Sequence, residues 1–174
     1  MNLNLPTILT LSRIVLIPFF VIITPYSPIL GVVIFGIASL TDFLDGYLAR
    51  KKGQITKFGI ILDPIADKFL VISALILLVD MGRLSLWVAI IIIAREFLIT
   101  GLRVVALSKD IVISAELGGK LKTGFQITAI LCLIIDINHF GLDLYDIGTV
   151  LIWVAVVLSI VSGFKYTVSF WKRI

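Results

Sequence analysis

The chain has 174 residues, 60% of them hydrophobic and only 15% charged, with a mean hydropathy of +1.16. A soluble domain is nearer half apolar and a quarter charged, and no soluble core of this size could hide so many Ile, Leu, Val and Phe side chains, so the surplus is expected to face lipid. That composition excludes a disordered chain, a disulfide scaffold and a secreted hydrolase, and the net charge of +4 is not read as affinity for nucleic acid.

Six helical spans are predicted, giving an all-α integral membrane protein that forms one domain over residues 1–174: Thr7–Thr24, Ile29–Arg50, Gly59–Val79, Leu84–Ser108, Gly118–Ile137 and Tyr145–Phe170. Turn chemistry separates them. Pro25 and Pro28 close the first, Lys52 and Gly53 the second, Asp80 to Gly82 the third, and Asn138 to Asp143 the fifth. Arg13 interrupts the first apolar run and no basic cluster precedes it, so no cleavable signal peptide is expected. Cys132 has no partner for a disulfide. The connecting segments alternate in charge. One set carries Arg50, Lys51, Lys52, Lys57, Lys109, Lys120, Lys122, Lys165, Lys172 and Arg173; the other has Arg83 as its one basic residue, beside Asp80, Asp136, Asp143 and Asp146. The positive-inside rule then predicts a multi-pass protein of the cell membrane with both termini in the cytoplasm. Trp87, Trp153 and Trp171 read as interface or packing residues, and His139 falls in an outer loop far from the acids.

The second and third spans carry four aspartates, Asp42, Asp45, Asp63 and Asp67. An ionisable residue inside a span costs several kcal/mol unless it is paired, hydrated or bound to metal. At 1.5 Å per residue, Asp45 and Asp42 stand about 7.5 and 12 Å above Arg50, and Asp63 and Asp67 about 6 and 12 Å above Gly59. Asp63 and Asp67, four residues apart, share a helix face. Two antiparallel neighbours would thus bring four carboxylates to one level in the cytoplasmic half of the bilayer. Their mutual repulsion demands neutralisation, for which hard divalent cations, Mg²⁺ or Mn²⁺, are the best suited. Gly46 and Gly59 leave room at the mouth for a phosphate or nucleotide.

Written out, the stretch is Asp42-x-x-Asp45-Gly46-x-x-Ala49-Arg50, eight residues, then Gly59-x-x-x-Asp63-x-x-x-Asp67. It resembles the motif of the CDP-alcohol phosphotransferases with every position and spacing filled. The resemblance implies a six-helix membrane enzyme with a site facing the cytoplasm. By it, Asp42, Asp45, Asp63 and Asp67 are ligands of a two-metal site, and Asp67 is also the general base toward the attacking alcohol. Gly46, Ala49, Arg50 and Gly59 match positions around the CDP moiety, joined by Thr56 and, from the short segment Asn4-x-x-Thr7, by Asn4 and Thr7. A homodimer is implied by the resemblance alone. Residues in the fourth and fifth spans bear on the acceptor. Arg95 is too deep to reach solvent and needs an anionic partner; Glu96, its neighbour, lies on a different face, whereas Glu96 and Arg103 share one. Lys120 lies in the first turn of a helix behind Gly118 and Gly119, where backbone N–H groups favour anions. A cationic lining of Arg95, Arg103 and Lys120 suits an alcohol that carries its own phosphate. The Arg-Glu and Gly-Lys-x-Lys-Thr runs resemble the branch of the family in bacteria that forms phosphatidylglycerophosphate. They imply CDP-diacylglycerol as donor and sn-glycerol 3-phosphate as acceptor. Lys122, Lys172 and Arg173 read instead as topology and headgroup residues. The alternatives are the same reaction on inositol phosphate or serine, and a transporter of divalent cations or protons. Against transport, both spans turn apolar above Asp42 and Asp67, leaving a site open only to the cytoplasm.

Overall fold

A computed structural model describes the backbone of residues 5–52, 57–108, 117–135, 138–139 and 142–171, and the side chains of residues 11–41, 68–106, 108, 121–135 and 143–171. Its helices are α1 (Leu5–Ile23), α2 (Pro28–Lys52), α3 (Lys57–Asp80), α4 (Leu86–Ser108), α5 (Leu117–Ile135) and α6 (Leu144–Trp171). Each predicted span coincides with one helix to within two residues at either end. Between α5 and α6, where a loop was expected, a minimal antiparallel pair forms from β1 (Asn138–His139) and β2 (Leu142–Asp143). The link is short enough for its backbone groups to bond across to one another rather than stay open. The helices fall into two compact units, Met1–Met81 and Gly82–Ile174.

In the N-terminal unit α1 packs on both α2 and α3. The α1–α2 corner is tight for a reason visible in three residues. The buried Thr24 hydroxyl donates to the Phe20 carbonyl at 2.6 Å, which turns the side chain back onto its own helix. Gly31 of α2 then lies so close that any Cβ there would overlap the Thr24 side chain. Above the corner the Phe20 and Phe35 rings meet with centroids 5.5 Å apart, both fully buried. Ala38, Ala74, Leu75 and Leu78 continue this core. After α3 the chain turns at Gly82, whose φ of +69° is the left-handed conformation that glycine adopts without cost at a helix C-terminus.

In the C-terminal unit α5 runs along α6, and α4 packs on α6 as well. Gly148, near the start of α6, sits against Leu133 and Cys132 near the end of α5, so the short β1–β2 link joins two antiparallel helices. Arg83 closes this same C-terminal end of α5: its Nη1 donates to the carbonyls of Leu133 at 3.2 Å and Ile134 at 2.5 Å. Those carbonyls have no partner within their own helix, and a cation there also meets the negative end of the helix dipole. The lone basic residue of the otherwise acidic connecting segments therefore has a structural task.

At 28 residues α6 is long and apolar enough to cross a membrane, and only 39% of its most apolar stretch is buried inside the protein. Val150, Trp153, Val157 and Phe164 lie exposed along it, as Val15, Phe19 and Ile22 do on α1. Large apolar side chains turned outward in such numbers suit contact with lipid, not water. Trp87 and Trp171, at the first turn of α4 and the last residue of α6, are exposed at helix ends, where an amphipathic ring suits a membrane interface.

Candidate active site

The acid motif is carried by two helices of one unit. Asp42, Asp45, Gly46, Ala49 and Arg50 lie on α2, and Gly59, Asp63 and Asp67 on α3. The helical backbone gives the spacings their meaning: Asp42 and Asp45 are separated by three residues and Asp63 and Asp67 by four, so each pair occupies successive turns. α2 and α3 pack against each other within the unit. The side chains of these eight residues, and those of Thr7 on α1 and Lys120 on α5, lie outside the described residues, as do Asn4 and Thr56 altogether. Among the described residues no group of three metal-ligating side chains occurs. Carboxylate oxygens are hard donors of the kind that Mg²⁺ or Mn²⁺ takes. α1 adds a feature that the sequence offered only as an interruption of an apolar run: Arg13 is 1% exposed. The signal was present, since a charge within a span by default has a specific environment.

The basic residues are organised differently. Arg95, near the middle of α4, sends each of its three nitrogens to a protein partner. Nε donates to the Ser159 carbonyl at 3.0 Å, Nη2 to the Ser162 hydroxyl at 2.8 Å, and Nη1 to Glu96 Oε1 at 3.1 Å. The Ser162 hydroxyl in turn donates to the Ser159 carbonyl at 3.2 Å. Gly163 lies beside the guanidinium, where a Cβ would make ordinary contact with Arg95 Nε at 3.4 Å. Glu96 Oε1 also forms an ion pair with the ammonium of Lys122, on α5.

Two expectations are corrected by this network. Adjacent residues were not expected to pair, yet Arg95 and Glu96 do, because an arginine side chain is long enough to bend around the 100° between successive positions. Arg103, the expected partner, is exposed on α4. Lys122, read from sequence as a headgroup residue, is only 3% exposed and is a member of the network. One turn further along α5 the buried Gln126 Nε2 has no hydrogen-bond partner among the described residues, and neither has the buried Ser159 hydroxyl. These contacts leave two of the five guanidinium hydrogens of Arg95 for another acceptor.

Residues 3–161 match the model of the CDP-alcohol phosphatidyltransferase family. The chain belongs to that family. A relative from Bacillus subtilis (strain 168), named CDP-diacylglycerol–glycerol-3-phosphate 3-phosphatidyltransferase, is 41% identical over 187 aligned residues, covering 98% of this chain and 97% of the relative. Proteins with the same name from Rickettsia bellii (strain RML369-C) and Haemophilus influenzae are 39% and 41% identical. The first alignment covers 94% of this chain and 93% of the relative; the second covers 95% and 92%.

Proposed function

We propose that this protein transfers the phosphatidyl group of CDP-diacylglycerol to sn-glycerol 3-phosphate, forming phosphatidylglycerophosphate and releasing CMP. The observation that carries the reading is identity near 40%, over almost the whole length, with relatives that bear this enzyme's name. The complete four-aspartate motif supports it.

In this reading the 174 residues act as one domain of six membrane spans, with both termini and the site on the cytoplasmic side of the cell membrane, and two copies form a homodimer. Asp42, Asp45, Asp63 and Asp67 would hold two divalent cations, Mg²⁺ or Mn²⁺. Such ions, when bound, polarise the pyrophosphate and offset charge at the phosphorus under attack. Asp67 takes the proton of the attacking acceptor hydroxyl, which forms the new P–O bond as the bond to CMP breaks. A carboxylate does this only while ionised, a state that neighbouring positive charge favours. Asn4, Thr7, Gly46, Ala49, Arg50, Thr56 and Gly59 bind the CDP-lipid. Arg103, Lys120 and the unused hydrogens of Arg95 receive the acceptor's phosphate, so the donor lipid never leaves the membrane. Positioning and electrostatics do most of the work in such transfers.

Purified protein in detergent, given CDP-diacylglycerol and Mg²⁺, is expected to release CMP only when glycerol 3-phosphate is added. Release that requires serine or inositol phosphate instead would keep the family chemistry and overturn the acceptor. Cation flux in proteoliposomes without CDP-lipid, together with no CMP release, would overturn the reaction itself.

A further inference from the structure

The Arg95–Glu96–Lys122 network ties α4 to α5. Among the described residues, α4 and α5 each pack on α6, and neither shares an extended interface with the other. Glu96 Oε1 joins them: it accepts from Arg95 on its own helix and pairs with Lys122 on the neighbour. Arg95 is anchored in turn to α6 through the Ser159 carbonyl and the Ser162 hydroxyl. Two cations and one anion within apolar helices are poorly explained by stability, since packed apolar side chains would serve as well or better. What such a group supplies is a restricted rotation, because its donors and acceptors lose contact when either helix turns far from this setting.

We propose that Glu96 is a positioning residue for acceptor binding, holding the Arg95 guanidinium and fixing the face of α4 that carries Arg103. The proposal rests on the reading of the acceptor given above. Helical geometry connects the two levels. Arg103 is seven residues beyond Glu96, about 20° short of two full turns, so a setting that holds Glu96 fixes the Arg103 face. Glu96 itself touches neither substrate in this scheme. Its carboxylate lies against positive charge on both α4 and α5, at Arg95 and Lys122.

Three variants test this: Glu96→Gln, Lys122→Met, and the exchanged pair Glu96→Lys with Lys122→Glu. The first two are expected to raise the KM for glycerol 3-phosphate by ~10-fold, while kcat and the KM for CDP-diacylglycerol stay within ~2-fold of wild type. The exchanged pair restores opposite charges across the α4–α5 gap but sets a second cation beside Arg95, so it is expected to recover the lost affinity only in part. Should Glu96→Gln fail to fold with two cations unbalanced, Lys122→Met decides the matter, because it keeps the Arg95–Glu96 pair. An unmoved KM for glycerol 3-phosphate in Lys122→Met would overturn the proposal. So would equal losses for both substrates with no recovery in the exchanged pair, the mark of a merely structural ion pair. Wild-type CMP release that ignores glycerol 3-phosphate would show that the acceptor reading had failed first.

Discussion

The two units treat charge in opposite ways. The N-terminal unit concentrates acids on two helices that follow each other in the chain, with the four motif aspartates between residues 42 and 67. The C-terminal unit holds its charges in a network of both signs drawn from three helices, and the contact from Arg95 to Ser159 reaches across 64 positions of sequence. An acid cluster is a place for cations to bind. A cluster of both signs is a scaffold from which further cations can be presented to an anion. In the proposed reaction the first unit handles metal and CDP, and the second handles the acceptor phosphate.

The sharpest way to break this contrast is at Asp67. Asp67→Asn is expected to lower kcat by ~100-fold or more, because a carboxamide cannot take the acceptor proton, while helicity by circular dichroism and elution in detergent stay as wild type. Wild-type turnover in that variant would remove the base from the acid unit. Asp42→Asn and Asp63→Asn are expected to act on the metal instead, raising the Mg²⁺ concentration for half-maximal activity as they lower the rate. An unchanged Mg²⁺ titration would argue against ligation by these residues.

The same contrast explains what was legible in the sequence. The six helices follow from apolar runs and their breakers, and their ends fall where Pro, Gly and charged residues stop them; Gly82, at φ +69°, shows the mechanism. The acid motif was legible because helical spacing is local: two short segments on successive helices suffice to relate four residues. The basic network was not. Nothing in the sequence near Glu96 points to Lys122, and local face geometry favoured Arg103. Only the packing of α4 and α5 on α6 decides which cation the carboxylate meets. Arg83 was likewise legible as an exception to the charge pattern, but not as the cap on α5.

Smaller effects are expected from stability. Gly148→Ala would place a Cβ 2.9 Å from Leu133 Cγ and 3.1 Å from Cys132 Cβ, and the second of these cannot swing aside. The variant is expected to lose about 1–3 kcal/mol in detergent unfolding. Arg83→Met removes the donor to the last α5 carbonyls, at a cost of about 1 kcal/mol. Gly101→Ala is the control. A Cβ there meets nothing within 4 Å, so in the middle of α4 the change is expected to be neutral or to stabilise by up to about 1 kcal/mol. A large loss at Gly101 with none at Gly148 would contradict the packing of the C-terminal unit.

The division of labour between the units is tested most directly by one set of initial rates. Wild type, Asp63→Asn and Arg103→Ala would be titrated separately with Mg²⁺ and with glycerol 3-phosphate. The account predicts that Asp63→Asn shifts the Mg²⁺ curve and leaves the KM for glycerol 3-phosphate near wild type. Arg103→Ala should do the reverse, raising that KM by ~10-fold with an unchanged Mg²⁺ curve. If Arg103→Ala moved the Mg²⁺ curve as much as Asp63→Asn does, or left the KM for glycerol 3-phosphate untouched, the assignment of the acceptor to the C-terminal unit would be contradicted.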